Sequence, residues 1–331
     1  MTKNIGQMAL FAVLTACITI PSRSLAGGPG STSGAFLKLP TGARAIGMGE
    51  SYTAAGDDVQ SMAWNPAGLA RMTSRQFTFM HAEWFQGIRY ESIAYAQPFA
   101  NFFTVGGGID FLFSGSLNKA AFSDLSGLLN GPENVGLDPK VGGTFSASNV
   151  VLTGAGAVNV SALRWIAVPN VQAGMNLRVL LQKIDTESAA NGVVDIGGMW
   201  TPEFWQNVTF GAVGQNLGPA LNGKVPPFSF RLGVCYRMLD RKLALTSDYY
   251  QPVDNYGRIS GGAEYWYKNV IGVRGGYRFQ GRVDLNKLGT NGLEGVSLGL
   301  GFKYQVMQVD YAFETLGFLG ATHRVSLTVN F

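Results

Sequence analysis

Apolar and polar residues alternate in long stretches of the chain after position 75. In Phe228–Arg237, Phe, Phe, Leu, Val and Tyr occupy the even positions, while Ser, Arg, Gly, Cys and Arg occupy the odd ones. The same alternation runs through 171–182, 295–304 and 324–331. A period of two over about 9–11 residues is typical of strands that cross a membrane with one face on lipid and the other on a polar lumen.

This pattern predicts about fourteen strands, an even number as an antiparallel membrane barrel of this class requires. They are placed near 76–84, 90–99, 103–114, 144–159, 171–185, 191–201, 208–217, 228–237, 243–251, 258–267, 270–279, 295–304, 307–314 and 323–331. Short connections such as 268–269 are expected to be periplasmic turns, and longer ones such as 115–143 and 280–294 extracellular loops. The connection 160–170 is long for a turn. The predicted fold class is all-β, a transmembrane antiparallel β-barrel over residues 75–331.

The composition favours the same class. Only 14% of the 331 residues are charged and 46% are hydrophobic, which is too apolar for an ordinary soluble surface. Glycine accounts for 45 residues, a content that helices would tolerate poorly. Capped amphipathic helices are not found after about position 75, so the pattern excludes a pair of soluble α/β domains.

The first 26 residues have the layout of a cleaved secretory signal peptide. A short polar start precedes the apolar stretch Ile5–Ile20, and Ser24–Ala26 provides small residues for cleavage after Ala26. The alternative is a lipoprotein box at Leu14–Cys17, but the apolar stretch continues beyond Cys17. We therefore expect export to the outer membrane of a Gram-negative bacterium.

Cleavage would change the charge and the thiol content. It removes Lys3 and Arg23, which reduces the formal net charge of +4 and gives no support to nucleic-acid binding. It also removes Cys17, so Cys235 would be the only thiol and no intramolecular disulfide could form. We expect Cys235 to be a small, inward-facing filler.

Residues 27–74 differ from the rest because they are rich in Gly, Ala and Ser. Asp57 and Asp58 precede a short predicted helix that must end near Asn65, because Pro66 follows. The segment is too long to be a tail without a role. It is expected to plug the lumen, to pack beneath it, or to bind a periplasmic component.

Motifs in this segment resemble a known family. The segment contains four of them, Gly34–Leu37, Gly42–Gly49, Ala54–Asp57 and Ala63–Leu69. They resemble the N-terminal signature of the PorV/PorQ family of outer-membrane proteins, which is similar to the FadL-type transporters of long-chain fatty acids. The resemblance continues over nearly the whole mature chain, at Tyr90–Ala94, Asp195–Gly197, Gln215–Gly218, Glu264–Trp266, Arg274–Tyr277, Asp310–Phe313 and His323–Leu327.

The resemblance implies a fourteen-stranded FadL-like barrel with residues 27–74 folded into its lumen as a hatch. It also implies that Phe331 is the terminal aromatic residue recognised by the barrel-assembly machinery. Two functions are compatible with it. The first is a PorV-like partner of secreted or surface proteins, associated with a type IX-like secretion system. The alternative is a FadL-like channel that admits hydrophobic small molecules such as long-chain fatty acids. Outer-membrane lipids are expected partners in both cases.

Two groups of residues are candidate sites. The hatch and gate candidates are Arg44, Met48, Gly49, Asp57, Asp58, Asn65 and Pro66. They either line and gate a passage, or they form turns, stop a helix and anchor the hatch to the wall. The lumen charges are Arg178, Arg231, Glu264, Arg274, Asp310 and Arg324. They either form ion pairs that hold barrel and hatch together or select anionic solutes.

Catalysis is not expected. His81 and His323 are the only histidines, and both are placed near the outer ends of strands as interfacial polar residues. The chain contains no Gly-x-Ser-x-Gly elbow, no metal-spaced His/Cys cluster and no phosphate loop. We therefore predict a protein that is not an enzyme and has no cofactor or metal.

Overall fold

The fold is a closed antiparallel barrel of fourteen strands. The structure is a computed structural model and describes residues 28, 30–84, 87–99, 102–118, 144–162, 169–220, 223–280, 294–317 and 320–331. The predicted signal peptide and most of the loops 115–143 and 280–294 lie outside these residues. The strands are β1 (Gln76–Glu83), β2 (Arg89–Phe99), β3 (Phe103–Phe113), β4 (Leu117–Asn118), β5 (Thr144–Phe145), β6 (Ala147–Asn159), β7 (Val171–Ile184), β8 (Glu187–Trp200), β9 (Val208–Leu217), β10 (Ser229–Met238), β11 (Leu243–Pro252), β12 (Arg258–Tyr267), β13 (Ile271–Gln280), β14 (Val296–Tyr304), β15 (Met307–Thr315) and β16 (Ala321–Asn330).

Each barrel strand pairs with the next barrel strand in the chain, and β1 closes the barrel on β16, with Gln76 opposite Asn330. The predicted fourteen-stranded barrel is thereby confirmed. Two predicted strand starts differ from the structure by three residues or more. The expected strand 144–159 is divided, because β4 and β5 form a separate two-stranded sheet. Strand β8 begins at Glu187 instead of 191, because its first residues pair with the end of β7 although they lack an apolar face.

The barrel is polar inside and apolar outside. On β14, Leu298 and Leu300 lie on the outer face and are each 56% exposed. Ser297, on the same strand, lies on the inner face and is buried. The other strands also present apolar side chains on the outer face, and their inner positions are mostly polar or small, except for an apolar region in one half of the barrel. An apolar outer surface of this kind is suited to lipid.

The two ends of the barrel differ. We call the end where β1 begins and β16 finishes the proximal end, and the other the distal end. Trp200, Phe204 and Phe210 form an aromatic cluster at the proximal end, as expected where rings meet the membrane interface. The connection pattern predicts that the proximal end is periplasmic and the distal end extracellular.

Phe331 lies at the proximal end. Its backbone N–H donates to the carbonyl of Arg75, and its side chain is 63% exposed, so the ring has no packing role within the described barrel. We expect Phe331→Ala to lower the amount of assembled barrel in the outer membrane without lowering the stability of the barrels that do form. Heat-modifiable mobility on gels, compared with Phe204→Ala as a second exposed proximal aromatic, measures this. Unchanged levels of assembled barrel would remove the assembly role.

The hatch lies inside the lumen. It contains a 3-10 helix (Ala35–Lys38), α1 (Ala43–Gly47), α2 (Ser61–Trp64) and a second 3-10 helix (Pro66–Arg71). Helix α2 ends at Trp64, and the next residue, Asn65, has an extended backbone because Pro66 follows. Within the described residues, no helix has the length and apolarity needed to span a membrane.

Candidate functional site in the barrel lumen

Three cross-strand glycine pairs line the lumen where the hatch contacts the wall. Gly174 on β7 is opposite Gly197 on β8, Gly211 on β9 is opposite Gly233 on β10, and Gly262 on β12 is opposite Gly276 on β13. A Cβ atom at any of these six positions would overlap an atom of the hatch, and at Gly233 it would also overlap the carboxylate of Asp248. The pairs are therefore seats in which the hatch lies directly on the backbone of the wall.

Each seat receives a different part of the hatch. Residues Asn65 to Ala67 lie on the first pair, and Thr53 and Ala54 lie on the second. Met48 and Gly49 lie on the third, where a Cβ on Gly276 would overlap the amide nitrogen of Gly49. Glycine at these inward positions thus has a specific cause, which is the close approach of the hatch to the backbone of the wall.

Arg44 of α1 connects the hatch to itself and to the wall. Its guanidinium donates to Asp57 at 2.7 Å and to Asp58 at 2.9 Å, both within the hatch. It also donates to both carboxylate oxygens of Glu264 on β12, at 2.7 and 2.9 Å. Because the Arg44 fork is planar, this bidentate contact fixes the orientation of α1 against the wall.

The same carboxylate extends the network around the barrel. Arg274 on β13 donates to Glu264 at 2.7 Å and to Asp310 on β15 at 2.8 Å, and its side chain is fully buried. Asp57 is also paired with Arg237 on β10 at 3.1 Å. Charges that would be costly alone are thus compensated in one network at the proximal half of the lumen.

Glu50 anchors the hatch in the distal half. It has a left-handed backbone (φ 62°), is 1% exposed, and forms ion pairs with Arg258 on β12 and Arg278 on β13. Burial raises the pKa of Glu50, but the two guanidiniums outweigh this effect and lower the pKa to about 2. The carboxylate is therefore ionised at neutral pH, as pairing with two arginines requires.

Polar side chains also hold the hatch backbone. The carboxylate of Asp248 on β11 accepts hydrogen bonds from the backbone N–H groups of Tyr52 and Thr53, at 3.0 and 2.9 Å. The amide of Asn65 donates to the carbonyls of Thr53 at 2.9 Å and Gly198 at 3.1 Å. These bonds satisfy backbone groups in the short, irregular segments between the helices.

Two small cavities lie between the hatch and the wall. One cavity, bordered by Thr41, Gln60 and Asp110, has a volume of about 30 Å³, and another beside Arg231 has about 20 Å³. Such volumes accommodate only one or a few water molecules, whereas sites for small organic ligands occupy about 300–1,000 Å³. At these two places the hatch and the wall therefore leave room for water but not for an organic ligand.

The inner wall is apolar on one side of the distal half. Six buried side chains form this surface, which we call the distal apolar patch: Met80, Ala82, Tyr90, Val151, Leu180 and Val193. The 3-10 helix of the hatch covers it with Phe36 and Leu37, each 7% exposed. Phe36 makes an edge-on contact with the ring of Tyr90, with ring centroids 5.5 Å apart.

A small polar latch holds this 3-10 helix in place. Asp254, between β11 and β12, accepts from the ammonium of Lys38 at 2.7 Å and from the hydroxyl of Thr32 at 2.6 Å. The backbone N–H of Ser33 donates to the carbonyl of Val225 at 2.9 Å. The pKa of Asp254 is lowered, because these hydrogen bonds outweigh its burial. The latch lies at the distal rim and is separate from the ion pairs of Arg44 and Glu50.

Most predicted hatch and gate candidates meet the wall. Arg44, Asp57 and Asp58 join Glu264, Arg274 and Asp310 in the proximal network, whereas Met48, Gly49, Asn65 and Pro66 lie on glycine seats. Their contacts are those of anchors, and a gating role for them stays a prediction.

The remaining predicted lumen charges are separate from the proximal network, and of these Arg231 and Arg324 are buried and Arg178 is half-buried. Arg231 lies between the rings of Trp64 and Tyr250, 4.9 and 4.0 Å from their centroids. Arg178 donates to Asn216 at 3.0 Å, and Arg324 pairs with Glu314 at 2.7 Å. Cys235 is buried and faces inward.

The sequence-based candidates did not include Glu50, the Lys38–Asp254 latch or the pair Phe36 and Leu37. Of these residues, only Glu50 could have been selected from the local sequence, because it is a single carboxylate directly after the turn residue Gly49. The other residues acquire their roles from partners far away in the chain.

The fold resembles that of channel proteins. TodX of Pseudomonas putida, described as a toluene transporter, aligns with a TM-score of 0.58 and 11% identity over 92% of this chain and 98% of its own. A deltaS2 mutant of TodX, described as a monoaromatic hydrocarbon channel, gives a TM-score of 0.62 and 12% identity over 88% of this chain and 99% of its own. A FadL homologue of Pseudomonas aeruginosa gives 0.53 and 11% over 88% and 98%. The chain has a FadL-type barrel fold.

Sequence comparison is less specific than the fold. The model of a family described as "Uncharacterised protein family (UPF0164)" matches residues 15–103, which include the hatch, β1 and β2. A search of curated proteins finds no match. The FadL-like part of the expected resemblance is thus supported by structure, whereas the PorV/PorQ assignment stays a prediction.

Proposed function

We propose that this protein is an outer-membrane channel for hydrophobic small molecules, and that its hatch closes the channel in the described state. The observation that carries the proposal is the distal apolar patch covered by Phe36 and Leu37. A hydrophobic solute entering from the distal end would find there the apolar surface that the helix now occupies. The functions stated for TodX, a channel for toluene and other monoaromatic hydrocarbons, agree with this solute class.

The contacts of the hatch divide it into a firmly held part and a releasable part. Residues 44–67 are held by glycine seats and by the ion pairs of Arg44 and Glu50. The 3-10 helix is only four residues long and depends on the latch at Asp254 and on its two apolar side chains. Its release would expose the patch and leave the rest of the hatch seated, which supports solute binding at the distal end as the first step of passage.

The PorV-like function remains as the other candidate. It depends on extracellular loops that would hold a secreted protein, and the longest of these, 115–143 and 280–294, lie mostly outside the described residues. The test below therefore includes an outcome that would favour it.

The latch variant Asp254→Asn should increase the affinity for an apolar ligand. It removes the charge that holds Lys38 and therefore raises the population of barrels with an uncovered patch, by about tenfold for each 1.4 kcal/mol lost from the latch. Binding of the dye N-phenyl-1-naphthylamine to the purified barrel in lipid nanodiscs, followed by its fluorescence, measures the affinity. The double variant Phe36→Ala with Leu37→Ala should have the same effect, because the two side chains compete with the dye.

Asp240→Asn is the matched control, since Asp240 lies in an exposed turn at the proximal end. Its affinity for the dye should equal that of the unmodified barrel. Equal affinities of all four proteins would contradict the proposal. Absence of dye binding, together with stoichiometric co-purification of a secreted protein, would favour the PorV-like function.

A further inference from the structure

Both histidines of the chain lie on the outer face of the barrel. His81 on β1 and His323 on β16 are flanked along their strands by the buried, inward residues Met80, Ala82 and Arg324, so their own side chains point outward. Three more ionisable residues share this outer face. We call the set the polar patch: His81, Glu83, Arg89, Glu91 and His323.

The polar patch is connected by strand register. His81 is opposite Glu91, and the ring nitrogen and carboxylate are 2.7 Å apart. Glu83 lies between Arg89 on β2 and His323 on β16. The second carboxylate oxygen of Glu91 is buried and has no hydrogen-bond partner among the described residues. The patch thus covers three neighbouring strands at the seam where the barrel closes.

The polar patch interrupts an apolar belt. On β3, the residues opposite Glu91 and Arg89 are Phe111 and Phe113, each 39% exposed and stacked on each other with centroids 6.4 Å apart. On the other side, β15 presents Tyr311 and Phe313 against His323. Aromatic residues therefore border the patch at the same register on both sides. Ionisable residues on the lipid-facing side of a barrel are unfavourable unless they meet a polar partner.

We propose that the polar patch is the contact surface for a second copy of this chain, in a two-fold symmetric dimer. A two-fold interface places the same surface against itself, so the surface must be complementary to itself. The patch fulfils this condition because it contains acidic residues, Glu83 and Glu91, beside Arg89 and two histidines. In a dimer, the acidic groups of one copy would face basic groups of the other, and the aromatic borders would pack around the polar centre.

Disulfide cross-linking in native membranes tests the dimer. Val325 is 45% exposed, lies on β16 opposite His81 and borders the patch. Val325→Cys should form a covalent dimer on mild oxidation. Leu232→Cys is the matched control, because Leu232 is also 45% exposed but lies on β10, on the opposite side of the barrel. The native thiol of Cys235 is buried inside and does not interfere.

The dependence on the polar patch is tested in the same assay. Adding His81→Leu and Glu91→Leu to Val325→Cys should reduce the covalent dimer by about tenfold, because leucine is accommodated by lipid and removes the need for a polar partner. Heat-modifiable mobility confirms that the triple variant is folded. Equal cross-linking of Val325→Cys and Leu232→Cys would overturn the proposal. So would a Val325→Cys variant that stays monomeric, its patch then facing lipid headgroups, or one that cross-links to another protein. Unchanged cross-linking after the two leucine substitutions would also overturn it.

Discussion

Replacement of Gly276 by valine is expected to displace the middle of the hatch and to convert a closed barrel into one that conducts ions. A Cβ at this position would overlap the backbone of Gly49 in the hatch. Because Gly276 lies in a strand that is paired on both sides, the wall cannot move away and the hatch must. Overpacking of this kind costs about 1–3 kcal/mol or more. Because Glu50 follows directly, the displacement also separates it from Arg258 and Arg278. Single-channel conductance in planar bilayers measures the result.

Gly275→Val is the control for this prediction. Gly275 is the preceding residue of the same strand, and a Cβ there meets no atom within 4 Å because it points toward lipid. The two variants share chemistry and strand, and they differ only in the face that receives the side chain. We expect Gly275→Val to be closed like the unmodified barrel. Equal conductance of the two variants would show that the glycine seat does not hold the hatch.

The second large effect is expected from Glu264→Gln. This change leaves the shape of the side chain nearly intact but removes the charge shared by Arg44 and Arg274. Breaking a buried ion pair by neutralising one partner typically costs about 3–5 kcal/mol, because the other charge stays buried. We expect a lower midpoint of urea unfolding and faster proteolysis of the hatch, both measurable on the purified barrel.

Glu187→Gln is the matched substitution for the second prediction. Glu187 is exposed at the distal start of β8, so its neutralisation should change stability by no more than about 0.5 kcal/mol. If Glu264→Gln were as stable as Glu187→Gln, the proximal network would orient the hatch in the barrel without stabilising the fold.

The barrel was predictable because its signal is local. Alternation along a strand such as β10 is imposed by lipid on one side and a polar lumen on the other, and it is visible in ten consecutive residues. The start of β8 was missed because Glu187 to Ala190 lie at the distal end of the strand, beyond the part that contacts the hydrocarbon core of the membrane. Neither face of the strand is required to be hydrophobic there. Polar inward residues such as Arg274 followed from the same alternation.

The details of the hatch were less accessible. In Gly261–Gly262 and Gly275–Gly276, one glycine of each pair faces lipid and the other touches the hatch. The sequence shows the pairs but not which hatch residue passes over them, since that depends on contacts across more than two hundred positions. The roles of Glu50 and Asp254 have the same origin, because their partners are determined by the closed barrel.

The long sequence separation of these contacts also determines when the hatch can be seated. Arg44 pairs with a residue 220 positions later, and the backbone N–H of Ala43 donates to Ser326, 283 positions later on the last strand. The N-terminal part of the chain is synthesised first, yet its binding surface is completed only when β16 reaches β1. Contacts this distant in sequence form late in folding. The hatch can therefore make its full set of contacts only after the barrel has closed.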